Sequence, residues 1–141
     1  MLKKTIKYTD YDGNERTEDF YFNLTKAEIY DMEMSADGGG GMAAFINKII
    51  SAQDRAELAK LFKKFILQCY GEKSLDGKRF IKTKELAEAF SQTEAYSQLY
   101  MELITDDLAA EAFIKGVAPA DVMARAMEAK TSNAQSSNPQ Q

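Results

Sequence analysis

From Thr83 onward the chain sets a helix-starting residue at short, regular intervals: Thr83, then Ser91 or Thr93, then Thr105, then Pro119. A Ser or Thr hydroxyl in the N-cap position accepts a backbone N–H that the first helical turn leaves without a partner. Proline suits the first turn because it lacks that N–H. Punctuation this dense permits only short helices. Each carries a narrow apolar stripe, so none is stable alone and all must share one core. The stripes are Leu86, Ala87 and Phe90 over 84–91, and Tyr96, Leu99, Tyr100 and Leu103 on the helix that follows. Ala109, Ala112 and Phe113 over 106–115, ended by Gly116, come next, then Val122, Met123, Ala126 and Met127 over 119–129.

The same logic runs backwards along the chain. Thr25-Lys26-Ala27-Glu28 is a capping box, flanked by Leu24 and Ile29 at the two hydrophobic-staple positions, and predicts a helix from about 26 to 35. Met42, Phe45, Ile46, Ile49 and Ile50 predict a helix over 42–52. Leu58, Leu61, Phe62, Phe65, Ile66 and Cys69 predict a longer one from about 54 to Tyr70, stopped by Gly71. Between the first two, Gly38 to Gly41 reads as a flexible joint over 36–41. A phosphate-binding loop would need a preceding strand and a Gly-Lys-Ser/Thr ending, and neither is there. "GEKSLDGKRF" reads as a loop turning at Asp76-Gly77.

The first residues are of another kind. "LKKTIKYT" and "RTEDFYFNL" are rich in β-formers and alternate in part, with Asp12-Gly13 between them. Placing Leu2 and Ile6 on one face with Phe20, Phe22 and Leu24 predicts an antiparallel hairpin with an odd-numbered loop. The expected register sets Leu2 opposite Leu24, Ile6 opposite Phe20 and Lys7 opposite Asp19. A calcium loop is a poor fit: Asp10, Asp12 and Asn14 have the right spacing, but the glycine and the final glutamate are misplaced. The last stretch, "TSNAQSSNPQQ", has no charge and no aromatic residue and predicts a disordered tail. The expected fold is therefore mainly α. An N-terminal β-hairpin (1–24) precedes a helical domain (25–129) built as a bundle of about six short helices, with a disordered tail at 130–141.

Composition restricts the chemistry. There is no histidine and one cysteine, so Ser-His-Asp and Cys-His catalysis and an internal disulfide are ruled out within this chain. No catalytic constellation, cofactor motif or metal-ligand set stands out, and the chain reads as a non-enzyme. No apolar run is long enough to span a bilayer and the start lacks a signal peptide's apolar core, which predicts a cytoplasmic protein. Residues 60–84 hold eight basic residues against two acids; residues 85–128 hold nine acids against two basic residues. Such asymmetry fits two solvated faces, complementary surfaces between copies, or a small nucleic-acid-binding module using 60–84 with Tyr70 and Phe80. Candidate partner-binding residues are Phe80, Tyr96, Tyr100, Met101, Met123 and Met127: rings with a taste for a wet edge, and adaptable methionines.

Three strings go further. Gly77 to Lys82 ("GKRFIK"), the run at 90–97 ("FSQTEAYS") and "AFIKGVAP" at 112–119 resemble the tail assembly chaperones of long-tailed bacteriophages, of the type common in phages of Gram-positive bacteria. The resemblance covers roughly residues 5–119. It implies a mostly helical protein that is absent from the finished virion and works in the host cytoplasm. Such proteins are thought to coat the tape measure protein, keep it soluble and yield to tail tube subunits. It also implies a frameshifted longer form in many such phages, and no catalytic residue. Apolar furrows between short helices would suit a helix-rich client, and self-association along a rod would suit the opposed charges.

Overall fold

A computed structural model describes residues 1–34 and 54–119. The expected joint at 36–41, the helices over 42–52 and 119–129 with Met123 and Met127, and the tail at 130–141 lie outside the described residues. The described residues form β1 (Leu2–Thr9), β2 (Glu15–Phe22), α1 (Lys26–Met34), α2 (Arg55–Cys69), β3 (Tyr70–Lys73), β4 (Phe80–Ile81), α3 (Lys84–Ser91), α4 (Glu94–Thr105) and α5 (Asp107–Val117).

The mainly-α expectation is corrected. The four strands make one antiparallel sheet in the order β1-β2-β3-β4, accompanied by five helices among the described residues. The expected hairpin is present, but a second hairpin, β3–β4, stands where a plain loop was read. Gly71 does not stop α2. The helix passes straight into β3 through Tyr70 in extended conformation, and Gly71 lies inside the strand. A Cβ there would meet the Ile81 carbonyl oxygen and the Phe80 ring, each at 2.8 Å, so only glycine lets β4 approach this closely. The turn was legible: Gly77 has φ +73°, and the Asp76 carboxylate accepts from Ser74 Oγ and the Lys78 N–H.

The first hairpin has the expected facing but not the expected register. Leu2 pairs with Phe22, Ile6 with Glu18 and Lys7 with Thr17, two residues away from the apolar-on-apolar match. The loop decides it. Asp10 accepts the N–H of Asp12 and of Asn14 on its side chain and that of Gly13 on its carbonyl, and it holds Arg16 by an ion pair at 2.5 Å. This uses the Asp10 carboxylate as the organiser of a five-residue turn, Asp10 to Asn14. Leu24 is released from pairing: its N–H donates to the Val117 carbonyl and its side chain is buried beside the start of α1.

Every helix start but that of α5 uses the cap its local sequence predicts. The Thr25–Glu28 box closes as expected, at 2.9 and 3.1 Å. Asp54, Thr83 and Thr93 cap α2, α3 and α4. The α5 cap is Asp106, whose carboxylate takes the N–H groups of Leu108 and Ala109; Thr105 instead donates back to the Met101 carbonyl and ends α4. Gly116 sits within α5 rather than ending it, because Leu2 of β1 packs where its Cβ would stand, at 2.9 Å. Ala112 is exposed, and the buried stripe of α5 is Ala110, Phe113, Ile114 and Val117.

Phe22, fully buried, is the hub of the core. Its ring lies 5.2 Å from Phe113, 5.7 Å from Phe90 and 5.8 Å from Tyr70. Tyr70 stacks flat on Phe90 at 4.2 Å, tying β3 to α3. The even-numbered face of the first hairpin packs inward against α4 and α5, and Lys4 bonds Glu102 of α4 at 3.2 Å.

Candidate functional site

A chain of rings leads from the core to the surface of α4. Phe90 meets Tyr96 edge-on at 5.6 Å, and Tyr96 meets Tyr100, one helical turn on, at 5.9 Å with nearly parallel planes. Phe90 is buried and both tyrosines are half-buried. Helical spacing places them on one stripe, and the next residue, Met101, stands off it, half exposed. The structure therefore brings Tyr96, Tyr100 and Met101 together as an amphipathic edge on α4. Burial first, then the neighbouring Tyr100, raises the Tyr96 phenol above its ordinary 10.0, so its hydroxyl is neutral near neutral pH.

Phe80 is not part of that edge. It lies half-buried on β4, its ring against the Gly71 backbone and 5.9 Å from the Lys82 ammonium. It is chiefly a packing residue of the second hairpin. Exposed apolar side chains that sequence periodicity did not single out are Met1, Tyr11 in the first turn, Tyr30 on α1, Leu75 in the β3–β4 turn and Leu108 on α5. No spacing signal separates these from ordinary surface residues.

Part of the basic segment is committed within the fold, while Lys60, Lys63, Lys64, Lys78 and Arg79 are exposed. Lys82 bonds the Asn23 carbonyl and Glu28, both at 2.6 Å. Lys73 stands 4.3 Å over the Tyr21 ring. Tyr70 is buried, and burial followed by the Glu72 charge pushes its phenol up to about 12. Its ring faces Phe90 rather than solvent, which removes one of the two aromatic residues that a nucleic-acid reading would stack on bases. Cys69 is fully buried and burial drives its thiol well above the usual range, as befits a small core residue.

An open cleft of about 520 Å³ lies where β3 leaves β2 to pair with β4. It is lined by Glu18 to Tyr21 of β2 and Tyr70 to Lys73. Its carboxylates are mostly spoken for: Glu18 takes the Tyr8 hydroxyl at 2.5 Å, and Asp19 takes Thr5 at 2.6 Å. Among the described residues no group of three His, Cys, Asp or Glu side chains is placed to hold a metal ion, and no helix is long and apolar enough to cross a membrane.

The surface so described is one of contacts: a tyrosine-methionine edge, strand edges and isolated apolar side chains on a tightly capped frame. No curated protein and no solved structure matches the chain. A family model described as phage tail assembly chaperone matches residues 1–141. The chain belongs to the phage tail assembly chaperone family.

Proposed function

We propose that this chaperone binds the tape measure protein of its phage in the host cell cytoplasm. There it keeps that client soluble and gives way as tail tube subunits polymerise. The observation that carries the reading is the match of the family model to the whole chain. A chaperone family points to assembly help rather than catalysis. The Tyr96–Tyr100–Met101 edge supplies a fitting grip: broad apolar area, hydroxyls that tolerate water, and a flexible methionine. A grip of that size is weak enough to be displaced. Contacts with the tail tube protein and with a frameshifted longer form of the chain belong to the same reading.

The test is co-expression with overlapping tape measure fragments, followed by sizing with light scattering. A soluble complex is expected, weakened by Tyr100→Ser with Met101→Asp while the circular dichroism spectrum holds. Absence of any complex at micromolar concentration overturns the proposal.

A further inference from the structure

β1 is an edge strand of eight residues, and among the described residues nothing pairs with its outer side. The hairpin's closing bond, Asp10 N–H to the Asn14 carbonyl, fixes which backbone groups face which way. Even-numbered residues of β1 exchange hydrogen bonds with β2. The N–H and C=O of Lys3, Thr5, Lys7 and Thr9 point outward, away from the sheet. The side chains of those same residues stand on the solvent face, all exposed.

Lys3 and Lys7 carry the edge's positive charge, with Asp19 across from Thr5 and bonded to its hydroxyl. Across the ladder Lys3 meets Tyr21 and Lys7 meets Thr17, and neither lysine makes an ion pair among the described residues. Lys4, on the inner face, is the one that finds a carboxylate, Glu102. A second β1 added antiparallel about Thr5 would set Lys3 against Lys7 twice, so that register repels its own copy. An extended segment with carboxylates four residues apart meets both lysines with opposite charge and meets Thr5 with its central residue.

We propose that the outer edge of β1 is a docking rail for an extended, acidic segment of a partner protein. The segment joins the sheet as a fifth strand, with Asp or Glu opposite Lys3 and Lys7. Main-chain hydrogen bonds to Lys3, Thr5 and Lys7 hold it, and the two lysines select it. The inference goes beyond the tape measure reading and does not depend on it, since it stands on the strand edge and its charges.

The experiment uses the full chain and two synthetic peptides, blocked at both ends: Thr-Glu-Val-Thr-Val-Glu-Thr, and the same peptide with lysine for each glutamate. Binding is read by fluorescence anisotropy and by amide hydrogen exchange. The acidic peptide should bind, and it should slow exchange at Thr5 and Lys7 while leaving the already protected Lys4 and Ile6 amides unchanged. Lys3→Glu with Lys7→Glu should weaken the acidic peptide about tenfold and transfer the preference to the lysine peptide. Thr5→Pro, which removes one outward N–H and none that β2 uses, should abolish binding of the acidic peptide with the spectrum of the fold retained. Equal binding by Thr5→Pro, or binding without protection of the odd-numbered amides, would mean charge attraction alone and would overturn the proposal. So would protection of those amides that grows with protein concentration, without peptide, together with a dimer mass.

Discussion

The two hairpins of the sheet are closed in the same way and held together in opposite ways. Each turns on an Asp-Gly pair in which glycine takes a positive φ, +85° at Gly13 and +73° at Gly77. In each an aspartate side chain ties the loop: Asp10 takes the N–H of Asp12 and of Asn14, and Asp76 takes the N–H of Lys78 and the Ser74 hydroxyl. Beyond the turn they part company. β1 and β2 pair over eight residues with one face inward, so their own sequence carries the strand signal. β3 and β4 pair at only two positions, Glu72 with Ile81 and Lys73 with Phe80. Their strand character is imposed from outside: α2 delivers Tyr70 onto Phe90, and Gly71 lets Phe80 close over it. One hairpin is written locally, and the other is made by packing.

Removing the hub that both hairpins share should have the largest effect. Phe22→Ala deletes a ring in contact with Phe90, Phe113 and Tyr70, and should cost about 4 kcal/mol in urea unfolding. A loss under half that would mean that β1–β2 stands without its core anchor. Gly71→Ala then separates the two hairpins. Its Cβ meets a backbone carbonyl at 2.8 Å, which cannot swing away, so a cost of about 2–3 kcal/mol is expected. Amide exchange should show the opening at Ile81 and Glu72 while the Lys4 and Ile6 amides stay protected. Gly116→Ala is the gentler companion, since the atom it meets is the end of the Leu2 side chain.

That difference also explains what was legible in the sequence. Most caps were, because a capping bond spans three residues and needs no knowledge of the rest: Thr25, Asp54, Thr83 and Thr93 all do what their neighbours announce, and only Thr105 yields its place, to Asp106. The inward face of the first hairpin was legible from alternation. Its register was not, because apolar matching favoured Leu24 as a strand residue, while Asp10's turn and the bond from Leu24 to Val117 drew it away. The second hairpin was hidden because glycine after a helix reads as a stop, and only the approach of Phe80 gives Gly71 another meaning. The strings that carried the family resemblance are sites of this specific packing: Gly77 and Phe80 in the second hairpin, Thr93 as a cap, Phe113 and Gly116 under β2 and β1. On the candidate surface, periodicity found the Tyr96–Tyr100 stripe. It had no means of separating Phe80, a packing ring, from a contact ring.

The turns themselves offer a matched pair of smaller effects. A Cβ at Gly13 or Gly77 meets nothing within 4 Å, so alanine at either position pays only for the left-handed backbone. Each substitution should cost roughly 1 kcal/mol by thermal unfolding. The consequences should differ in place. Gly13→Ala should loosen exchange only near the loop, since eight paired residues back it up, whereas Gly77→Ala should also expose the two short ladders of β3 and β4.

The smallest expected effect tests the stitch between the hairpins. Lys82, just after β4, bonds the Asn23 carbonyl just after β2 and the Glu28 carboxylate in the first turn of α1. Burial pushes the Glu28 carboxyl up, but the Lys82 ammonium and the Thr25 N–H outweigh it and hold the group below its ordinary 4.5. A carboxylate depressed in the fold binds its proton more readily in the unfolded chain. Its stabilising share is therefore present above pH 4.5 and is lost as the pH falls through the lowered folded value. With Lys82→Met the cation is gone and the Thr25 bonds alone oppose burial, so Glu28's contribution should shrink and unfolding between pH 5 and 3 should flatten relative to the parent. Parallel acid titrations of the two proteins would mean that the ammonium contributes nothing to holding Glu28 charged, and that the β2–β3 pairing and the Phe22 cluster join the hairpins without it.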